Sequence, residues 1–187
     1  MGPVLEVLKS LLKHHEPLPA LVVDRFWNVK MRNRAAGLLL NIGGNTEEVL
    51  EKLGSTGEIN LALLTLHPLG LRRYISNWDQ VAPLFIRRLK REAMTSGDPK
   101  IKNIFSEYIK IAGPVDDSGL VAESLLPVLP VKINIGELKL SLFSIISTIG
   151  TPQDITTDEL RIESFYPTDE TTEEFFEDFS RQARSTS

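Results

Sequence analysis

The spacing of apolar residues changes period along the chain, and that change limits the available architectures more than any other feature. Val4, Leu5, Val7, Leu8, Leu11 and Leu12 recur at three- and four-residue steps, the pattern of an amphipathic helix, which Pro17 and Pro19 stop. Ala20 to Asp24 and Trp27 to Met31 then read as two tightly joined strands, the second alternating apolar with polar side chains. Helical spacing returns from Asn33 to about Gly113, and a period of two resumes from Leu125, with Leu129, Val131, Ile133 and Ile135 in one set. Gly136 turns the chain into Glu137 to Thr148, Leu160 to Tyr166 is a further strand, and a last helix carries Phe175, Phe176 and Phe179. Strands that arrive in runs, with helices grouped between them, describe an α+β domain. The expectation is one five-stranded antiparallel sheet, with a helical insertion over residues 33–113 between strands 2 and 3 and helices at both ends.

Cap residues subdivide the insertion. Asn33 is a plausible N-cap for a helix through Leu40, the Gly43-Gly44-Asn45 loop leads to a short helix from Thr46 that Gly54 ends, and Asn60 to Leu66 is strongly apolar. Asn77 with Gln80 resembles a capping box opening the longest helix, to about Met94, in which Trp78, Val81, Ala82, Phe85 and Leu89 share a stripe and Pro83 should kink the first turns. Asp98 with Pro99 opens another helix, buried through Ile101, Ile104, Phe105 and Tyr108. Gly150, Pro152 and Asp154 to Asp158 form the connection before the last strand, and Thr171 with Glu174 caps the final helix.

Composition narrows the chemistry. The 187 residues contain no cysteine, which removes disulfides, thiolate nucleophiles and zinc knuckles together. Phosphate-binding glycine loops, nucleophile elbows and His-Glu-x-x-His are absent, so no enzyme and no cofactor are expected. His14 and His15 sit at a helix end, where they complement its dipole, and His67 before Pro68 is most simply a hydrogen-bonded structural histidine. Arg72, Arg73, Arg87, Arg88, Lys90 and Arg91 could form a nucleic-acid patch, but a solvated helix face explains them better, since no aromatic residues interleave and the net charge is −4. The acid is concentrated late: residues 150–187 hold 3 basic and 10 acidic side chains, which read first as a solubilising tail. No apolar run is long enough to span a membrane and no secretory signal opens the chain, so a cytoplasmic address is expected.

An apolar surplus faces the sheet. Trp27, Val29 and Met31 fall on one strand face, Phe143 and Ile145 on a face of another, and Leu63, Trp78 and Phe85 on the insertion. Most are expected in the core, but a sheet covered by short helices can hold a cavity, which suits elongated apolar ligands.

Specific strings carry a resemblance. Glu16-Pro17-Leu18-Pro19-Ala20-Leu21-Val22-Val23-Asp24-Arg25-Phe26-Trp27-Asn28-Val29, followed by Asn33-Arg34-Ala35-Ala36, resembles the opening of the MmyB-like transcription-regulator ligand-binding domain. Leu66 to Arg72 with Asn77-Trp78, Thr148 to Thr156, and Glu159 to Pro167 look like one branch of that family, so the resemblance covers roughly residues 4–180. It implies a single PAS-like domain that senses a small, fatty-acid-like molecule and sits C-terminal to an XRE-type helix-turn-helix; no such reader precedes residue 4, so DNA contact is expected only through a domain outside this chain. The cavity expected between sheet and insertion would be lined by some of Trp27, Val29, Leu63, Phe85, Leu140 and Phe143, with Arg34 or Arg72 at its mouth for a carboxylate head. PAS-like domains commonly pair through a terminal helix, which here nominates Val4, Leu8 and Leu11 for a homodimer contact. The alternative is a ligand-free interaction module that docks a partner through the acidic tail and Phe175, Phe176 and Phe179.

Overall fold

A computed structural model of the chain describes residues 2–44, 46–52, 57–115, 129–148 and 160–185. Helix α1 (Gly2–His15) leads into strands β1 (Ala20–Val23) and β2 (Val29–Arg32). Helices α2 (Arg34–Asn41), α3 (Thr46–Lys52) and α4 (Leu61–Leu66) follow, then a 3-10 turn at Leu71–Tyr74, α5 (Trp78–Ser96) and α6 (Pro99–Ala112). Strands β3 (Val131–Ile135), β4 (Leu138–Thr148) and β5 (Arg161–Pro167) complete the sheet before α7 (Glu170–Ser185). The onset expected at Leu125, the stop at Gly54 and the connection through Gly150, Pro152 and Asp154 to Asp158 lie outside the described residues.

The five strands stand in the order β2-β1-β5-β4-β3, each neighbouring pair antiparallel. The helical insertion falls between β2 and β3, and helices flank the sheet at both ends, the architecture expected from the period changes. Strand β1 is buried on both faces: Leu21 and Val23 enter the core beneath the helices, while Ala20 and Val22 meet Leu8 and Leu12 of α1. A strand covered twice reads as an unbroken apolar run, which is why its alternation is invisible in the sequence. Farther along the sheet, Ile133, Leu140 and Leu142 form a second core cluster with Leu39 of α2 and Phe176 of α7. The β3–β4 hairpin closes over Gly136 at φ 57°, a left-handed conformation that favours glycine.

Trp27, Val29 and Met31 do not share a face. The pairing of β1 with β2 slips between Val22 and Val23, so Val22 faces Met31 while Val23 faces Val29. This bulge sends Met31 toward α1 and Val29 under the helices, and Trp27 lies before β2, in the connection.

Two asparagines hold the layers together. Asn33 is 8% exposed; its Oδ1 accepts from the amides of Ala36 and Ala20, and its Nδ2 donates to the carbonyls of Leu12 and Leu18. One side chain thereby caps α2, anchors β1 and receives the end of α1. Asn77 departs from its expected role: its side chain caps nothing, but donates to Pro130 O at 2.8 Å and accepts from Lys132 N at 2.9 Å, fastening the start of α5 to β3. Backbone groups at the edge of a sheet compete for a side chain that can serve both a donor and an acceptor, and here they win over the helix end. Trp78 is half-buried under Arg72 rather than central to the core, and α5 runs through Pro83 to Ser96. Asp169, not Thr171, caps α7, accepting from Thr172 N at 2.8 Å, while the buried Thr172 hydroxyl receives Ser141 N of β4.

Because Asn33 satisfies four groups and Asn77 two cross-element groups, Asn33→Ala is expected to lower stability by about 3 kcal/mol and Asn77→Ala by about 2 kcal/mol. Urea unfolding checks both; a loss for Asn77→Ala no larger than that of a surface alanine would contradict its role as a tether.

Candidate functional site

The β1–β2 connection is the most constrained backbone near the sheet. Asp24 Oδ1 accepts from the amides of Phe26 and Asn28, and Oδ2 from Asn28 Nδ2, folding the loop back on itself. Asn60, the cap of α4, grips it from the other side by donating to Phe26 O and Asn28 Oδ1. Trp27 is held at φ 69°, a conformation costly for a bulky side chain that survives only where its surroundings over-determine it. The result is an indole 1% exposed, inserted between sheet and helices, with Phe85 of α5 edge-on at 5.2 Å.

Charge surrounds that indole. Trp27 Nε1 donates to Glu92 Oε2 at 3.0 Å, Arg161 of β5 reaches the same oxygen at 2.8 Å, and Arg88 Nε donates to Oε1 at 2.9 Å. Both guanidinium groups lie about 5 Å from the indole ring, close enough for cation–π attraction. Burial works against the ionised form of Glu92, but the hydrogen bonds from Arg161 and Arg88 outweigh it and hold the carboxyl below its ordinary value.

Beside this cluster lies a cavity of about 170 Å³, between the central strands and the roof made by α2, α4, the 3-10 turn and α5. Its wall is mainly apolar: Leu21, Leu142 and Phe165 from the sheet, Leu40, Leu61 and Phe85 from the helices, and Trp27 at one side. The polar side chains that reach it are Thr65, Arg88, Ser144 and Glu163. Glu163, on β5 at the centre of the sheet, is 7% exposed, and among the described residues its Oε2 has no hydrogen-bond partner. Burial pushes its carboxyl above the ordinary range, against the opposing hydrogen bond from Ser144 and the nearby Arg88 and Arg161 charges.

Of the residues nominated from sequence, Trp27 and Phe85 line this cavity. Val29 packs under the helices outside the lining, Leu63 is half-buried on α4, and Leu140 is buried in the cluster containing Phe176. Phe143 points to the opposite face of the sheet, stacked on Tyr166 at 5.3 Å, because β4 residues of odd number face away from the insertion helices, on the side that α1 covers. Arg34 borders an open groove between α1 and α7, and Arg72 donates to Ala112 O, tying the 3-10 turn to the end of α6. Arg88, placed on a solvated face by helix periodicity, turns inward, whereas Arg87, Lys90 and Arg91 are exposed. Glu163 went unnominated; its signal is two charged residues, Arg161 and Glu163, at alternate positions of a strand paired on both sides. His67 accepts from Leu69 N in the turn after α4, and His15 meets Phe165 O.

The two glutamates should respond oppositely to pH. Glu92 has a lowered folded pKa, so its stabilisation is present above the ordinary value of 4.5 and lost as pH falls through the folded one; Glu92→Gln is expected to cost about 2 kcal/mol at neutral pH, less than a fully buried pair because the site is partly exposed. Glu163 has a raised folded pKa, so its ionisation destabilises the fold as pH rises above 4.5, and Glu163→Gln is expected to raise the neutral-pH melting temperature. Both differences should shrink toward acid pH in thermal melts, and the same sign for both variants would contradict the assignment.

The sequence matches the family model for the MmyB-like transcription regulator ligand binding domain over residues 4–178. No curated protein matches it. Among solved structures, the PAS domain from Bordetella pertussis BvgS aligns over 98% of this chain and 98% of its own, at 12% identity and a TM-score of 0.36. With nearly its whole length matched, the chain belongs to the MmyB-like transcription regulator ligand-binding domains.

Proposed function

We propose that this chain is a non-catalytic sensing module that binds a small, mainly apolar molecule in the cavity beside Trp27 and passes its occupancy to a helix-turn-helix domain of the same or a partner chain. The observation that carries this reading is an apolar space of about 170 Å³ roofed by α2, α4, the 3-10 turn and α5, inside a domain whose family binds ligands for transcription regulation. An apolar cavity of about 150 Å³ takes a molecule the size of benzene, so a short acyl chain fits and a long fatty acid requires the roof to lift. Binding that favours a lifted roof would shift the population of two packings, the minimum needed for regulation. Among the described residues no helix is long and apolar enough to cross a membrane.

Straight-chain alcohols and fatty acids from butyl to dodecyl, followed by Trp fluorescence and melting temperature, test the reading. Affinity should climb about fourfold per methylene, from about 0.8 kcal/mol each, and level off near about six carbons as the cavity fills. A flat response in both series would leave the docking-module alternative ahead, although Phe176, one of its three aromatic residues, is fully buried.

A homodimer is the second element of the proposal, through a set that keeps Leu11 of the side chains first nominated and drops Leu8. Leu8 is fully buried against the chain's own sheet, while Val7, Leu11 and, on the outer face of β4, Ile145 are 59%, 36% and 49% exposed. Replacing Val7 and Leu11 together by Glu should convert a dimer to a monomer in sedimentation, and a wild-type protein that is monomeric at all concentrations would remove this element.

A further inference from the structure

We propose that Glu163 reads the head of the ligand, and that this ligand is a small uncharged molecule with an apolar body and one hydroxyl or amide group. The inference rests on the sensing role argued above and names the chemistry of its site. Glu163 stands on the central strand β5, is 7% exposed, and contributes to the wall of the cavity. Among the described residues its Oε2 has no partner, whereas the Glu92 carboxylate nearby is well served, receiving Trp27, Arg88 and Arg161. Folded proteins rarely leave such an atom unpaired, and a molecule that supplies its hydrogen bond recovers the cost of leaving it so.

The surroundings decide which head is suitable. A carboxylate would set its negative charge against an ionised Glu163, or carry it into an apolar wall beside a protonated one, and the two guanidinium groups that could offset it already hold Glu92. An ammonium would have to shed its water into an apolar space whose wall includes the Arg88 cation. A hydroxyl or primary amide avoids both costs. It donates to Oε2 when Glu163 is ionised and accepts from it when Glu163 is protonated, so it is matched in either state. The cavity volume of about 170 Å³ limits the body to about the size of a benzene ring or a six-carbon chain.

The test holds the body constant and varies the head: hexan-1-ol, hexanamide, hexanoate and hexylamine, titrated into the wild-type protein at neutral pH by calorimetry. The alcohol and the amide should bind at least about tenfold tighter than the two charged probes. In Glu163→Leu the spread among the heads should collapse to within about threefold, and in Glu163→Gln hexanoate should gain about tenfold, because a neutral side chain that donates no longer excludes it. Thermal melts establish that each variant is folded, and the wild-type ranking stands without them. Equal binding of all four heads, hexanoate as the tightest probe, or a ranking unchanged in Glu163→Leu would overturn the role of Glu163 while leaving ligand binding intact. Failure of every probe to bind would overturn both.

Discussion

One carboxylate holds the layers of this domain in register. Glu92 belongs to α5, yet it is shared by the indole of the β1–β2 connection and the guanidinium of Arg161 on β5, while Arg88 one turn earlier steadies it from its own helix. Helix, loop and central strand therefore meet at a single pair of oxygens. Hydrophobic contact alone is indifferent to small sliding of a helix over a sheet, whereas a three-way charge-assisted contact has one geometry. The left-handed backbone at Trp27 is the complement of that arrangement, since the loop must turn sharply to present its indole nitrogen inward.

Fixing the roof at that point allows it to be loose elsewhere. The roof is built in separate pieces, two short helices and a 3-10 turn beside the long α5, and Thr65, Arg88 and the carboxyl of Glu163 line the space beneath it. A domain built only for stability would put a leucine at the centre of its sheet. Here a carboxyl is buried there with an oxygen that no described residue pairs, a local cost that the apolar clusters on both faces support.

The sheet, the insertion and two of the caps were legible because they follow from periodicity and from short-range backbone chemistry: Asn33 and Asp98 cap the helices they precede. Errors arose where a distant element decided. Asn77 serves β3, some fifty residues away in sequence, and Asp169 caps α7 while Thr172 is drawn to β4. A bulge in β2 reversed the facing of Met31 relative to Val29, and strand parity put Phe143 on the far side. In the cavity, the aromatic residues Trp27 and Phe85 were accessible to sequence reasoning through their size, whereas Glu163 and Arg88 were not, because charged residues on regular elements are assigned to solvent by default.

The two fastenings of α5 have a mechanical meaning. Asn77 pins its first turn to the edge strand β3, and Glu92 pins its later turns to β5, with β4 between those strands. A rod fixed at two points across a sheet cannot be pushed outward in the middle without bending or dragging one anchor. Pro83 stands between the anchors and lacks the amide that would bond to the turn before it, so the rod is most compliant there. On the proposed sensing role, pressure from inside the cavity at Val81 or Phe85 would be converted into flexure at Pro83 and shear along β3, carrying a molecular event in the interior to the rim of the sheet.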